Sequence, residues 1–80
     1  MKSEMSFSGR RVLIVGLARS GAGAANILDA LGADVTVNDK KSSSELACFT
    51  GILRPAIKAV LGSHPQELFS GSDLIVVSPG

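Results

Sequence analysis

The chain has no tryptophan and no tyrosine, and its only aromatic residues are three phenylalanines. That argues against a stacking platform for single-stranded nucleic acid. It has one cysteine, Cys48, so an internal disulfide is impossible and a reducing cytoplasm is the expected location. With no cation beside it in sequence, Cys48 reads as an inert, partly buried thiol. Neither sign of charge is in excess: eight Lys and Arg stand against seven Asp and Glu, a formal charge of +1. General electrostatic attraction to DNA, RNA or an anionic membrane is thereby excluded, and an anion must be bound by a local arrangement of groups. No apolar run reaches the roughly 18 residues needed to span a bilayer. Met1-Lys2-Ser3-Glu4 leads into no signal-peptide core. The single histidine, His64, has no partner at metal-ligand spacing and reads as a surface or capping residue. No serine has a triad partner. The G-x-x-x-x-G-K-[ST] loop that cradles ATP is missing.

What is present is enough for one small α/β domain. Eighty residues at 45% hydrophobic support a core, although a chain of this size buries only about 60–65% of its unfolded surface. Arg11 to Val15 and Leu74 to Val77 are short apolar runs without polar alternation, which suits strands covered on both faces. Asp34 to Asn38 reads as a second strand and Lys58 to Leu61 as a third. A helix is expected from Gly21 to about Leu31. Ala22, Ala24, Ala25, Ile27, Leu28 and Leu31 form its apolar side, and Gly32 ends it. Short helices are expected at Glu45 to Phe49, after the Ser42–Ser44 loop, and at Pro65 to Phe69. Residues 51–58 stay ambiguous because Pro55 interrupts either structure. Residues 1–10 read as a lead-in whose Phe7 docks on the sheet edge. The order β-α-β with right-handed crossovers implies a Rossmann-like three-layer parallel sheet, half of a doubly wound fold, in strand order 3-2-1-4. The chain ends on Ser78-Pro79-Gly80 directly after a strand, and we read it as a piece of a longer protein.

The segment richest in chemistry is Gly16-Leu17-Ala18-Arg19-Ser20-Gly21, which follows the first strand. Strand, glycine turn and helix are the parts of a phosphate-binding unit, because unpaired N–H groups and the helix dipole meet an anion there. Ala18 stands where the dinucleotide pattern G-x-G-x-x-G has its middle glycine. Ser20 offers a hydroxyl and an N–H, and Arg19 adds charge. Asp39 lies at the end of strand two, where an acid commonly accepts a ribose hydroxyl, and Lys40 and Lys41 follow it. The expected topology places these two segments and Ser78–Gly80 on one rim, outside the carboxyl ends of the strands.

With these segments in view, the chain resembles the N-terminal domain of the Mur ligases and fits best the branch that adds D-glutamate. The resemblance is carried by RRVLIVGLARSG at 10–21, VTVNDKK at 35–41, LGSHPQEL at 61–68 and DLIVVSPG at 73–80. It implies a three-domain, ATP-dependent, amide-forming enzyme of bacterial cell-wall synthesis, in which residues 1–80 are the domain that binds the UDP part of UDP-N-acetylmuramoyl-L-alanine. By similarity, the Arg19, Ser20 and Gly21 turn meets the diphosphate, Asp39, Lys40 and Lys41 surround the uridine, and Gly80 closes the pocket. The family commonly has Gly where Ala18 stands and Arg where Lys41 stands. ATP, magnesium and D-glutamate belong to the other domains, so residues 1–80 are expected to carry no catalytic residue, metal or cofactor of their own. The parent is expected to be cytoplasmic, without nucleic-acid or membrane partners. Alternatives are an NAD(P)-binding domain of an oxidoreductase and a non-catalytic nucleotide-sensing domain.

Overall fold

The computed structural model describes residues 7–78; residues 1–6, Pro79 and Gly80 lie outside them. The element order is β1 (Arg11–Val15), α1 (Arg19–Ala30), β2 (Asp34–Asp39), α2 (Ala47–Thr50), β3 (Lys58–Leu61), α3 (Gln66–Ser70) and β4 (Leu74–Val77). The strands form one four-stranded sheet in the order β3-β2-β1-β4, and all the pairings are parallel. The Rossmann-like arrangement read from the element order is therefore the one observed. In β1, Val12 lies between Val35 and Leu74, and Ile14 between Val37 and Val76. This central position buries Val12, Leu13 and Ile14, which explains the unbroken apolar run.

The main core lies on one face of the sheet. There Val12, Ile14, Val35 and Val37 meet Leu17, Ala22 and Ala25, with Leu46 at the edge of the cluster. Phe7 packs against this cluster. Helix α1 starts at Arg19, two residues before the expected Gly21. It ends in a Schellman motif, with Gly32 N–H to Asp29 O at 3.0 Å and Ala33 N–H to Leu28 O at 3.1 Å. Gly32 has the positive φ of 95° that this motif requires.

Three expectations need correction. The apolar side of α1 is narrower than read: Ile27 and Leu31 are 63% and 54% exposed, because at 3.6 residues per turn they lie opposite Ala22 and Ala25. Strand β4 is not covered on both faces. It is an edge strand, so Ile75 and Val77 are 42% and 71% exposed. Cys48 is exposed rather than partly buried, since α2 turns its neighbours Leu46 and Phe49 to the core instead.

The ambiguous segment before β3 forms turns held by the polar side of α1. Asn26 donates to Ile52 O at 2.9 Å and accepts from Arg54 N–H at 2.8 Å, while Arg54 Nε pairs with Asp29 at 2.6 Å. Before α2, Ser42 N–H donates to Glu45 Oε1 at 3.0 Å and Glu45 N–H to Ser42 Oγ at 3.4 Å. This is a reciprocal capping box set one turn ahead of the helix.

Candidate nucleotide-binding site

Parallel strands end together on one rim, and register brings Val15 level with Asn38 and Val77. The loops leaving β1, β2 and β4 border a cleft of about 360 Å³. Gly16, Leu17 and Ala18 form one wall, Asp39, Lys41 and Glu45 a second, and Leu46 and Phe49 an apolar floor, with Ser78 beside the turn.

Two glycines shape the turn. Gly16 has φ +101°, and a Cβ on it would lie 2.9 Å from the Ser78 carbonyl oxygen. A Cβ on Gly21 would lie only 2.2 Å from the carbonyl oxygen of Gly16. Helix α1 therefore starts closer to the turn than any side chain permits. Ala18 is different: it is the N-cap of α1, with φ −130° and ψ −165°, extended backbone that alanine adopts without strain. The departure from the glycine pattern thus falls where glycine is not needed. Alanine brings no side-chain oxygen, and α1 has no side-chain cap. The first intrahelical bond is Ala22 N–H to Ala18 O at 2.8 Å, so the N–H groups of Arg19, Ser20 and Gly21 have no intrahelical acceptor, and the dipole adds positive potential there.

The residues singled out in sequence occupy distinct places. Arg19 is the exposed first residue of α1. Ser20 Oγ lies 2.8 Å from Ser78 Oγ, joining the turn to the end of β4. Gly21 is buried beneath the turn. Asp39 and Lys41 line the cleft, whereas Lys40 between them is exposed and does not line it. Gly80 lies outside the described residues. The Asp39 carboxylate accepts Leu17 N–H at 2.8 Å on one oxygen and Lys41 N–H at 2.9 Å on the other. Burial pushes its pKa up. The Lys41 and Leu17 amides, with the charges of Lys41 and His64, outweigh burial and hold it below the ordinary value. Glu45, also on the cleft wall, is lowered by its bonds to Ser42 N–H and Oγ.

Sequence reasoning missed Glu45 as a cleft residue, although its S-x-x-E spacing was a signal. It also missed a polar cluster behind the sheet. Asn38, 0% exposed, donates through Nδ2 to Val60 O and Ser63 O, each at 2.7 Å. Its Oδ1 is left to accept from His64 Nδ1. His64 also meets Phe69 edge to face, with ring centroids 6.4 Å apart. Side chains alternate along a strand, so Asn38 faces away from the side that Asp39 serves. Nothing in a lone N in VTVND announces this role.

A parallel sheet of this order, with a glycine turn entering an uncapped helix and an acid ending the second strand, defines the Rossmann-like class of α/β domains. The family model of the Mur ligase MurD-like N-terminal domain matches residues 10–80, and the chain belongs to this family. It is 44% identical over 80 residues to UDP-N-acetylmuramoylalanine--D-glutamate ligase of Ligilactobacillus salivarius, covering 100% of this chain and 18% of that protein. The enzyme of the same name from Streptococcus gordonii is 47% identical over 81 residues, again with 100% and 18% coverage. The chain thus spans under a fifth of the length of these relatives. Among solved structures, the A chain of dipicolinate synthase from Bacillus subtilis superposes with a TM-score of 0.74 at 26% identity, over 96% of this chain and 24% of that one. SirC, a precorrin-2 dehydrogenase, gives 0.72 at 20% identity, over 100% and 39%, a likeness of fold alone.

Proposed function

We propose that residues 1–80 are the UDP-binding N-terminal domain of a UDP-N-acetylmuramoylalanine--D-glutamate ligase, and that the full-length protein joins D-glutamate to UDP-N-acetylmuramoyl-L-alanine at the expense of ATP in the cytoplasm. The observation that carries the reading is a helix start with no side-chain cap, whose N-cap Ala18 lines the cleft while Arg19, Ser20 and Gly21 follow just outside its lining, in a chain of this family. The amides of Arg19, Ser20 and Gly21 would receive the diphosphate. Lys41 adds a cation at the cleft wall; as a lysine it attracts anionic oxygens as a point charge, without the bidentate fork of arginine. The uridine would lie along the Asp39–Lys41 wall, with Gly80 closing the pocket.

The P-loop sequence that cradles ATP does not occur in residues 1–80, and we assign ATP, magnesium and the D-glutamate site to the rest of the full-length protein. The domain's contribution is then to bind and orient the UDP-sugar.

The test is binding to the full-length protein. UDP-N-acetylmuramoyl-L-alanine at 100 times its dissociation constant should stabilise it by about 2.7 kcal/mol, with no comparable effect of NAD. Stabilisation by NAD alone would replace this reading with that of a dehydrogenase domain. ATP-dependent incorporation of D-glutamate by the full-length protein, and none by residues 1–80 alone, is the expected activity pattern.

A further inference from the structure

Asp39 bonds to three of the rim loops. Its carboxylate takes one backbone N–H from the loop after β1 and another from the loop after β2, at Leu17 and Lys41. Its main-chain carbonyl takes Gly62 N–H, at 2.9 Å, from the loop after β3. One residue at the end of β2 therefore ties three rim loops together. A carboxylate so close to an intended anion site would repel the ligand if it were free. Here its charge is directed into two peptide dipoles, which are the strong, charge-assisted kind of hydrogen bond.

We infer that Asp39 acts on the anion as a positioning residue, holding the Gly16–Gly21 turn in its anion-receiving shape. The inference rests on the proposed UDP-binding role of this cleft and deepens it. Two consequences follow. The Leu17 amide is committed to the protein, so anion binding falls to the amides that follow it, from Ala18 to Gly21. An amide side chain cannot replace the carboxylate: asparagine has one acceptor oxygen, and its NH2 group would face a second N–H donor.

Inorganic pyrophosphate, which has neither ribose nor base, separates this role from direct contact with either when compared with UDP in the full-length protein. Asp39→Asn should weaken pyrophosphate as well as UDP, by about tenfold, as expected for loss of one charge-assisted hydrogen bond. Unchanged or tighter pyrophosphate binding with weakened UDP would make Asp39 a direct ligand and overturn the inference while leaving UDP binding intact. Failure of the wild-type protein to bind UDP at all would remove the reading on which it rests, and the inference with it. Should Asp39→Asn not fold, amide exchange in the wild-type protein decides. Pyrophosphate should slow exchange at Ala18 to Gly21 and leave the already protected Leu17 amide unchanged. A Leu17 amide that responds with the others would overturn the inference.

Discussion

Gly16 and Gly21 are required for different reasons, and substitutions should separate them. Gly16→Ala places a side chain at φ +101° and 2.9 Å from the Ser78 oxygen; about 1–3 kcal/mol of stability should be lost to backbone strain. Gly21→Ala forces apart two backbone segments whose approach leaves 2.2 Å for a Cβ. A loss of about 1–3 kcal/mol or more is expected from overpacking, together with weaker UDP binding as the helix start shifts. Chemical denaturation and UDP titration check both. Ala18→Gly is the contrasting control. Its backbone is already extended, so a glycine there relieves no strain. It should lower stability slightly, by up to about 1 kcal/mol through the freer unfolded chain, and leave UDP affinity unchanged.

Among the strands, position in the sheet outweighs composition. Strands β1 and β4 are both apolar runs, yet one is central and the other is at the edge. Ile14→Ala should cost about 2–5 kcal/mol, as expected for a cavity in a packed core. Val77→Ala in the same 80-residue chain should stay within about 0.5 kcal/mol. Equilibrium denaturation of the two variants tests the contrast directly. The pair behind β2 has its own test. Asn38→Ala leaves the Val60 and Ser63 carbonyls and His64 without their partner, a loss of about 1–3 kcal/mol. His64→Ala should show coupling to it in a double-mutant cycle, because the two side chains share one bond.

At the scale of the molecule, the rim should respond to acid. The Asp39 pKa is lower in the folded chain than its ordinary value of 3.8, so the native state favours the carboxylate. The stability this provides is complete above the unfolded value and is lost as pH falls through the folded one. Glu45 acts in the same direction. Thermal melts across the acid range should therefore show stability falling below about pH 4, and Asp39→Asn, less stable at neutral pH, should show a shallower fall.

Much of this was legible in the 80 residues alone. Strands β1, β3 and β4 fall at the expected residues, because short branched apolar runs bounded by Gly, Pro and Asp have few other solutions. Their order follows from the handedness of parallel crossovers. The family likewise shows in local strings, since a turn that needs glycine at φ +101° cannot hide its requirement. Tertiary structure decided the rest. An apolar run does not say whether a neighbour covers it, so only the sheet order separates buried Ile14 from exposed Val77. The pattern of α1 does not show that Ile27 and Leu31 turn from the sheet; helix contacts do. A sequence can place an acid 23 residues after Gly16, but not aim its two oxygens. Folding brought Leu17 and Lys41 to Asp39, and hydrogen-bond geometry is a property of positions in space that residue order does not encode locally.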